Sequence, residues 1–269
     1  MSSTTTVTAT AASTTAGALP TMNQRITAEN VSRLFPDIET NADAFDGHDE
    51  EQIRLMEEMC IVVDQDDNSI GSASKKICHL MTNINKGLLH RAFSVFLFDD
   101  QNRLLMQQRA TEKITFPDMW TNTCCSHPLS IPGETGANLE ECIMGGKRAA
   151  QRKLDHELGI HKSQVPIDDF NFLTRIHYMA PSDGKWGEHE IDYIYFIRAK
   201  VDVHANANEI RDHKYVTQEE LKAMMADPSV KLTPWFKLIG ETELFKWWSA
   251  FAAGEPFEAL TNETVIRRY

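Results

Sequence analysis

The clearest periodic segment runs from Arg91 to Phe98, with Phe93, Val95 and Leu97 on one face and Ser94, Phe96 and Phe98 on the other. Period-two alternation of this kind predicts a strand. The turn residues Asp99-Asp100-Gln101-Asn102 lead from it into Arg103–Arg109, which predicts a hairpin. Upstream, Met59-Cys60-Ile61-Val62-Val63-Asp64 is a short apolar run closed by Asp66-Asp67-Asn68, a buried strand and its turn. Residues 110–136 are too long for an ordinary connection and predict a functional loop. Ala150, Leu154 and Leu158 then recur at helical spacing, with Gly159 placed as a C-cap. A second hairpin is predicted from Phe172–Met179, a turn at Pro181–Gly184, and Ile191–Ile197. Thr217 with Glu220 reads as a capping box, and Thr233-Pro234-Trp235 as an N-cap followed by proline at the first helical position. The order strand, hairpin, helix, hairpin, helix, helix predicts an α/β protein of the α+β type, a mixed sheet flanked by helices. There is no internal repeat.

Composition divides the chain. Residues 1–24 carry no charge and are mostly Thr, Ser and Ala, a composition that cannot bury enough apolar surface to offset its ordering entropy. A transit peptide is the alternative, weakened by the absence of any basic residue before Arg25. Residues 25–51 hold eight acids and two arginines, half of the net charge of −12. The expected organisation is a disordered tail over 1–50, one domain over 51–252 and a C-terminal extension over 253–269. The acidity argues against nucleic acid as a partner, and no apolar run approaches the roughly 18 residues of a membrane span. Five cysteines without a paired framework suit a reducing, cytoplasmic setting, with a peroxisome or another organelle still open. A monomer is the default expectation.

The residues able to do chemistry fall in a few places. Trp120–Pro128 packs two thiols, three hydroxyls and an imidazole into an aperiodic stretch, which points to Cys125 as a catalytic thiol and His127 as a metal ligand beside it. Glu188 and Glu190 are two apart on a strand and share a face, where two carboxylates repel unless a cation or a proton intervenes. Tyr178, on the opposing strand, can reach that face. His79, His90 and His127 with Glu188 and Glu190 suit an octahedral divalent ion with one open position, Zn²⁺, Mn²⁺ or Mg²⁺ more than copper. The competing reading is an idle acidic hairpin mouth and scattered surface histidines, since no compact ligand spacing is present. Glu157, near a helix C-terminus where the dipole disfavours a carboxylate, hints at a metal; an exposed pair with Lys153 is the alternative. Lys75, Arg109, Lys113 and Lys153 could grip an anion, or each be a solvated surface charge.

Several longer stretches go beyond pattern: Cys78-His79-Leu80, Gly87–Ser94, Arg109–Lys113, Thr121–Pro128, Trp186–Glu190 and Thr233–Phe236. Over about Gly47 to Trp248 the chain resembles the type I isopentenyl-diphosphate isomerases of the eukaryotic kind. The resemblance implies a Nudix-like fold and interconversion of isopentenyl and dimethylallyl diphosphate, with a small-molecule diphosphate as the partner. It implies that Cys125 and Glu190 form the acid/base pair, assisted by Tyr178, with Trp235 facing a carbocation; core packing at a helix start is the other reading of Trp235. It implies that His79, His90, His127, Glu188 and Glu190 hold a first divalent ion, Zn²⁺, Mn²⁺ or Mg²⁺. Glu157 then helps to hold a Mg²⁺ on the diphosphate, which Lys75, Arg109, Lys113, Ser126 and Lys153 contact. Arg152–Ile160 stands in the place of the Nudix box, but Lys153 and His156 occupy positions where hydrolases carry glutamates. That departure speaks for an isomerase and against diphosphate cleavage.

Overall fold

Nine consecutive buried residues, His90–Phe98, form the middle of the sheet, and both of their faces are covered. The computed structural model describes residues 30–35, 45–256, 260–262 and 264–269. Its elements begin with helices α1 (Val31–Leu34) and α2 (Glu50–Leu55), strands β1 (Met59–Val63) and β2 (Ser69–Ser74), and helices α3 (Lys75–His79) and α4 (Met81–Ile84). Strands β3 (His90–Phe98), β4 (Leu104–Arg109), β5 (Trp120–Thr121) and β6 (Cys124–Ser126) follow, then helix α5 (Leu139–Leu158). The chain continues with β7 (Asn171–Pro181), β8 (Gly187–Arg198), β9 (Ile210–Val216), α6 (Gln218–Ala226), α7 (Pro234–Ile239), α8 (Phe245–Ala253) and β10 (Ile266–Arg268). All 10 strands belong to one mixed sheet, whose main path runs β10-β7-β8-β3-β1-β2. β3 and β8 pair in parallel, β7 and β8 antiparallel.

The period-two pattern sorts side chains into two cores. Phe93, Val95 and Leu97 of β3 join Tyr193 and Tyr195 of β8 and the α5 residues Ala150, Leu154 and Leu158. Gly146 lets α5 come this close, because a Cβ there would strike the Tyr195 hydroxyl. Phe96 and Phe98 point the other way, into a core closed by Trp235 and Phe236 of α7 and by Trp247, Trp248 and Phe251 of α8. Burying each such aromatic contributes roughly 2–3 kcal/mol. α5 starts at the Asn138 cap and ends at Gly159 in the left-handed conformation, φ 62°.

Four expectations change. First, the hairpin of β3 and β4 splays open: only Phe98 and Leu104 pair. β6 takes the vacated edge, with Phe93, Ser94 and Val95 opposite Ser126, Cys125 and Cys124, while β4 pairs with β5 and β9. Second, the long loop is not wholly irregular, since it supplies β5 and β6. Third, Thr233 makes no side-chain cap; its hydroxyl donates to Thr121 Oγ1 at 2.8 Å instead. Fourth, ordered chain begins before Glu51. Val31 and Phe35 pack on Cys60, Val62 and Leu88, an apolar pair at helical spacing. The remainder of the expected tail, residues 1–29 and 36–44, lies outside the described residues. The C-terminal extension contributes β10, parallel to β7.

Candidate active site

Three strands and a short helix bring five metal-binding groups together. In register, His90 of β3 lies beside Glu190 of β8, and Tyr178 of β7 lies on the other side of Glu190. Glu188 shares the face of Glu190 by strand alternation, His79 ends α3, and His127 follows β6. All five are buried, and their ligand atoms lie within 4.8 Å of one another. Bonds of about 2.1 Å to one ion put trans ligands about 4.2 Å apart, so the set is nearly closed around a single point.

The unmade hydrogen bonds show where these groups aim. His79 Nε2 and Glu188 Oε2 are 2.7 Å apart, yet neither has a hydrogen-bond partner, and both nitrogens of His90 are equally unsatisfied. Two buried ligand atoms held this close, with no hydrogen bond of good geometry between them, face a common position that a cation could occupy. His79 Nδ1 lies 2.6 Å from the Lys75 carbonyl, which can only accept. Nδ1 therefore carries a proton, which leaves Nε2 as the ring atom that could ligate. Burial pushes His127 well below the usual histidine range, reinforced by His90 and His79, so its imidazole is neutral. The donor set fits a divalent ion. The idle acidic mouth expected as the alternative is not what forms.

Cys125 and Glu190 face the same cleft from strands on either side of β3. Cys125 lies opposite Ser94, on the face that carries His90. Its thiol is pushed up to about 12, chiefly by burial, with Arg109 opposing and Glu157 adding to the effect. Tyr178 donates from its hydroxyl to Glu190 Oε2 at 2.5 Å, and His127 Nε2 lies 2.8 Å from Oε1. Burial works against the charge on Glu190, but His90 and Tyr178 outweigh it and lower its pKa. Cys124 faces the opposite way, into the α5 core, 3.6 Å from Glu157 Oε2.

The cleft is open to solvent, and its lining combines members of the cluster with cations. Lys75, Arg109, Lys113 and Lys153 line it together with Ser126 and Thr115; Arg109, Lys113 and Lys153 are buried there and Lys75 is half-buried. Arg109 donates to the carbonyls of Thr115, at 2.7 Å, and Phe116, at 3.0 Å, and lies over the Trp235 ring at 5.8 Å. Phe116 takes a left-handed backbone conformation, φ 48°, which these contacts hold against its bulk. Trp235 is part of the core by burial, lines the cleft as well, and anchors its indole N–H on Asn122 Oδ1 at 3.2 Å. Glu157 is buried rather than exposed. Lys153 Nζ lies 3.3 Å from its Oε1, and Gln107 donates to Oε2 at 3.0 Å.

The NUDIX domain matches residues 88–236, more than half of the chain. An isopentenyl-diphosphate delta-isomerase of Gibberella zeae is 68% identical over 248 residues, covering 92% of this chain and 97% of the relative. That of Aspergillus fumigatus is 59% identical over 278 residues, covering 94% and 99%, and one from Mus musculus is 53% identical over 212 residues, covering 78% and 92%. The chain belongs to the isopentenyl-diphosphate delta-isomerases of the Nudix superfamily.

Within this isomerase every site residue expected from sequence lies in or against one cleft. Sequence reading missed Gln107 and Thr115, and two buried acids. Asp192 is 1% exposed and accepts from Ser94 Oγ at 2.8 Å; burial, then Glu190, push its carboxyl well above the usual range. Strand alternation from Glu188 and Glu190 was the available signal for it. Glu209, bonded to Lys113, had none: it is a lone acid in an Asn-rich stretch.

Proposed function

We propose that this isomerase interconverts isopentenyl and dimethylallyl diphosphate by a 1,3-proton shift, with Cys125 and Glu190 as the acid/base pair. The convergence of Cys125 and Glu190 on one cleft, which is also lined by members of the His/Glu cluster and by a set of cations, carries this reading. The substrate has no carbonyl to activate it, so protonating the terminal alkene carbon generates a tertiary cation at C3. Removing a proton from C2 then completes the shift. One member of the pair gives the first proton and the other takes the second, and the roles exchange in the reverse direction. Tyr178 holds the Glu190 carboxyl through Oε2. The Trp235 face lies toward the cleft, where a cation–π contact supplies about 1–2 kcal/mol once water is excluded.

Lys75, Arg109, Lys113, Lys153 and Ser126 take the diphosphate, with Arg suited to a forked contact and Lys to a point charge. His79, His90, His127, Glu188 and Glu190 hold one divalent ion, which we take as Zn²⁺, Mn²⁺ or Mg²⁺, and Glu157 helps to hold a Mg²⁺ on the diphosphate. Bound there, the first ion neutralises the paired carboxylates and fixes their orientation. Hydrolysis is disfavoured because the Lys153 ammonium fills the space beside Glu157, where a cleaving site needs further carboxylates. No helix among the described residues is long and apolar enough to cross a membrane. Five free cysteines support a reducing compartment, which we take as the cytosol.

The test is proton NMR of isopentenyl diphosphate with the protein and Mg²⁺ in D₂O, with phosphate release followed in the same tube. Deuterated dimethylallyl diphosphate without phosphate or diphosphate release is expected. Phosphate release without isomerisation would replace this reading with the hydrolase.

A further inference from the structure

One buried carboxylate beside the cations has no place in the chemistry above. Glu209 is 2% exposed and precedes the first residue of β9. Its backbone N–H donates to the Asn206 carbonyl at 2.9 Å, and its carbonyl accepts from Ala110 N–H at 3.0 Å. The acid is therefore pinned to the residue that follows Arg109. Its Oε2 accepts from Lys113 Nζ at 2.6 Å, and its Oε1 accepts from Gln52 Nε2 at 2.9 Å. Gln52 comes from α2, outside the region matched by the NUDIX domain, and also donates to Asn208 Oδ1 at 2.7 Å. Asp49, which caps α2, accepts from Asn208 Nδ2 at 2.8 Å and closes the contact.

We infer that Glu209 is a positioning residue for the diphosphate site: it orients Lys113, and α2 holds Glu209 through Gln52. This rests on the isomerase reading above. Lys113 has one anionic partner and is otherwise surrounded by like charge. Burial lowers its pKa, Glu209 opposes that, and Arg109 and Lys75 add to the lowering, with Glu157 the more distant counter-charge. Burial likewise works against the charge on Glu209, but Lys113, Lys153 and Lys75 outweigh it and hold the carboxyl far below the usual range. The cation set thus contains its own counter-anion when no diphosphate is present. A grip of lysines and an arginine that would otherwise repel one another stays assembled. Helix α2, none of whose residues lines the cleft, thereby supports the substrate-binding wall from behind through Gln52.

The competing explanation is a staple that only docks α2. A double-mutant cycle separates the two. Glu209→Gln keeps the shape and one of the two acceptor oxygens but removes the charge; Lys113→Met removes the group it acts on. Each is expected to raise KM for isopentenyl diphosphate, and the inhibition constant of inorganic diphosphate, by about tenfold, as loss of one charge-assisted contact does, while kcat falls by less than about threefold. The double variant is expected within about twofold of Lys113→Met alone. Gln52→Ala is expected to shift KM in the same direction by about threefold, and it carries the test if Glu209→Gln does not fold. Multiplying effects would overturn the inference. So would an unchanged KM in Glu209→Gln or Gln52→Ala, or tighter diphosphate binding once the negative charge is gone. If the wild type does not isomerise the substrate, the functional reading fails, and diphosphate affinity by calorimetry still decides the role of Glu209.

Discussion

Two charged clusters lie back to back on β3 and β8. On the α5 face, Arg91 donates from Nε to Asp67 Oδ1 at 2.9 Å, Arg175 donates to Asp67 Oδ2 at 3.0 Å, and the Tyr193 hydroxyl also donates to Oδ2. One residue earlier on β3, pointing to the opposite face, is His90, surrounded by His79, His127, Glu188 and Glu190. Both clusters are buried and built from ionisable groups. In the first, both carboxylate oxygens of Asp67 are taken by protein donors. In the second, His79 Nε2, both nitrogens of His90 and Glu188 Oε2 have no hydrogen-bond partner. A carboxylate with both oxygens taken by protein donors is a cross-link that holds strands together. An incomplete network of nitrogens and carboxylate oxygens is a binding site, because its unmet groups are stable only once a cation arrives.

Substitutions should therefore separate the clusters by what they damage. The largest effect is expected from Cys125→Ala and Glu190→Gln, each lowering kcat by about 10³-fold or more, with the melting temperature of Cys125→Ala nearly unchanged. Steady-state kinetics beside calorimetry check this. Next, Asp67→Asn leaves two buried arginines without their anion and should cost about 3–5 kcal/mol by denaturant titration, with kcat of the folded protein retained. Asn tolerates the left-handed backbone at this position, φ 68°, so the loss reports charge rather than strain. Stripping divalent ions should abolish turnover and lower the melting temperature by several degrees, reversibly, in wild type and in Asp67→Asn alike. The smallest effect is expected from Cys124→Ala, about 1–2 kcal/mol of stability and less than tenfold in kcat, because its thiol fills the α5 core. Equal loss of turnover in Cys124→Ala and Cys125→Ala would sink the acid/base assignment.

The same contrast explains what the sequence disclosed. β1, β3, α5 with its Gly159 cap and the Thr217–Glu220 capping box were legible, since each rests on local periodicity or local hydrogen bonding. β2 was not: Ser69–Ser74 is an exposed edge strand without apolar alternation. The opening between β3 and β4 was also illegible, because it depends on β6 arriving from a distant loop to occupy the β3 edge. The candidate ligands come from positions 79, 90, 127, 188 and 190, with no compact spacing, so their residue types suggested the set and left an idle reading open until the fold brought them together. Glu209 and Gln52 meet across the whole domain, and neither carries any local signal of that contact.

The most direct test of this account is metal content per chain after loading with Mn²⁺ or Zn²⁺ and desalting, measured by elemental analysis. Wild type, Asp67→Asn and a His79→Gln/His127→Gln double variant are compared. One retained ion in wild type and in Asp67→Asn, and less than about a tenth of an ion in the double variant, is the result expected from one open cluster beside one closed one. Full retention in the double variant, or loss in Asp67→Asn with the fold intact, would contradict the account.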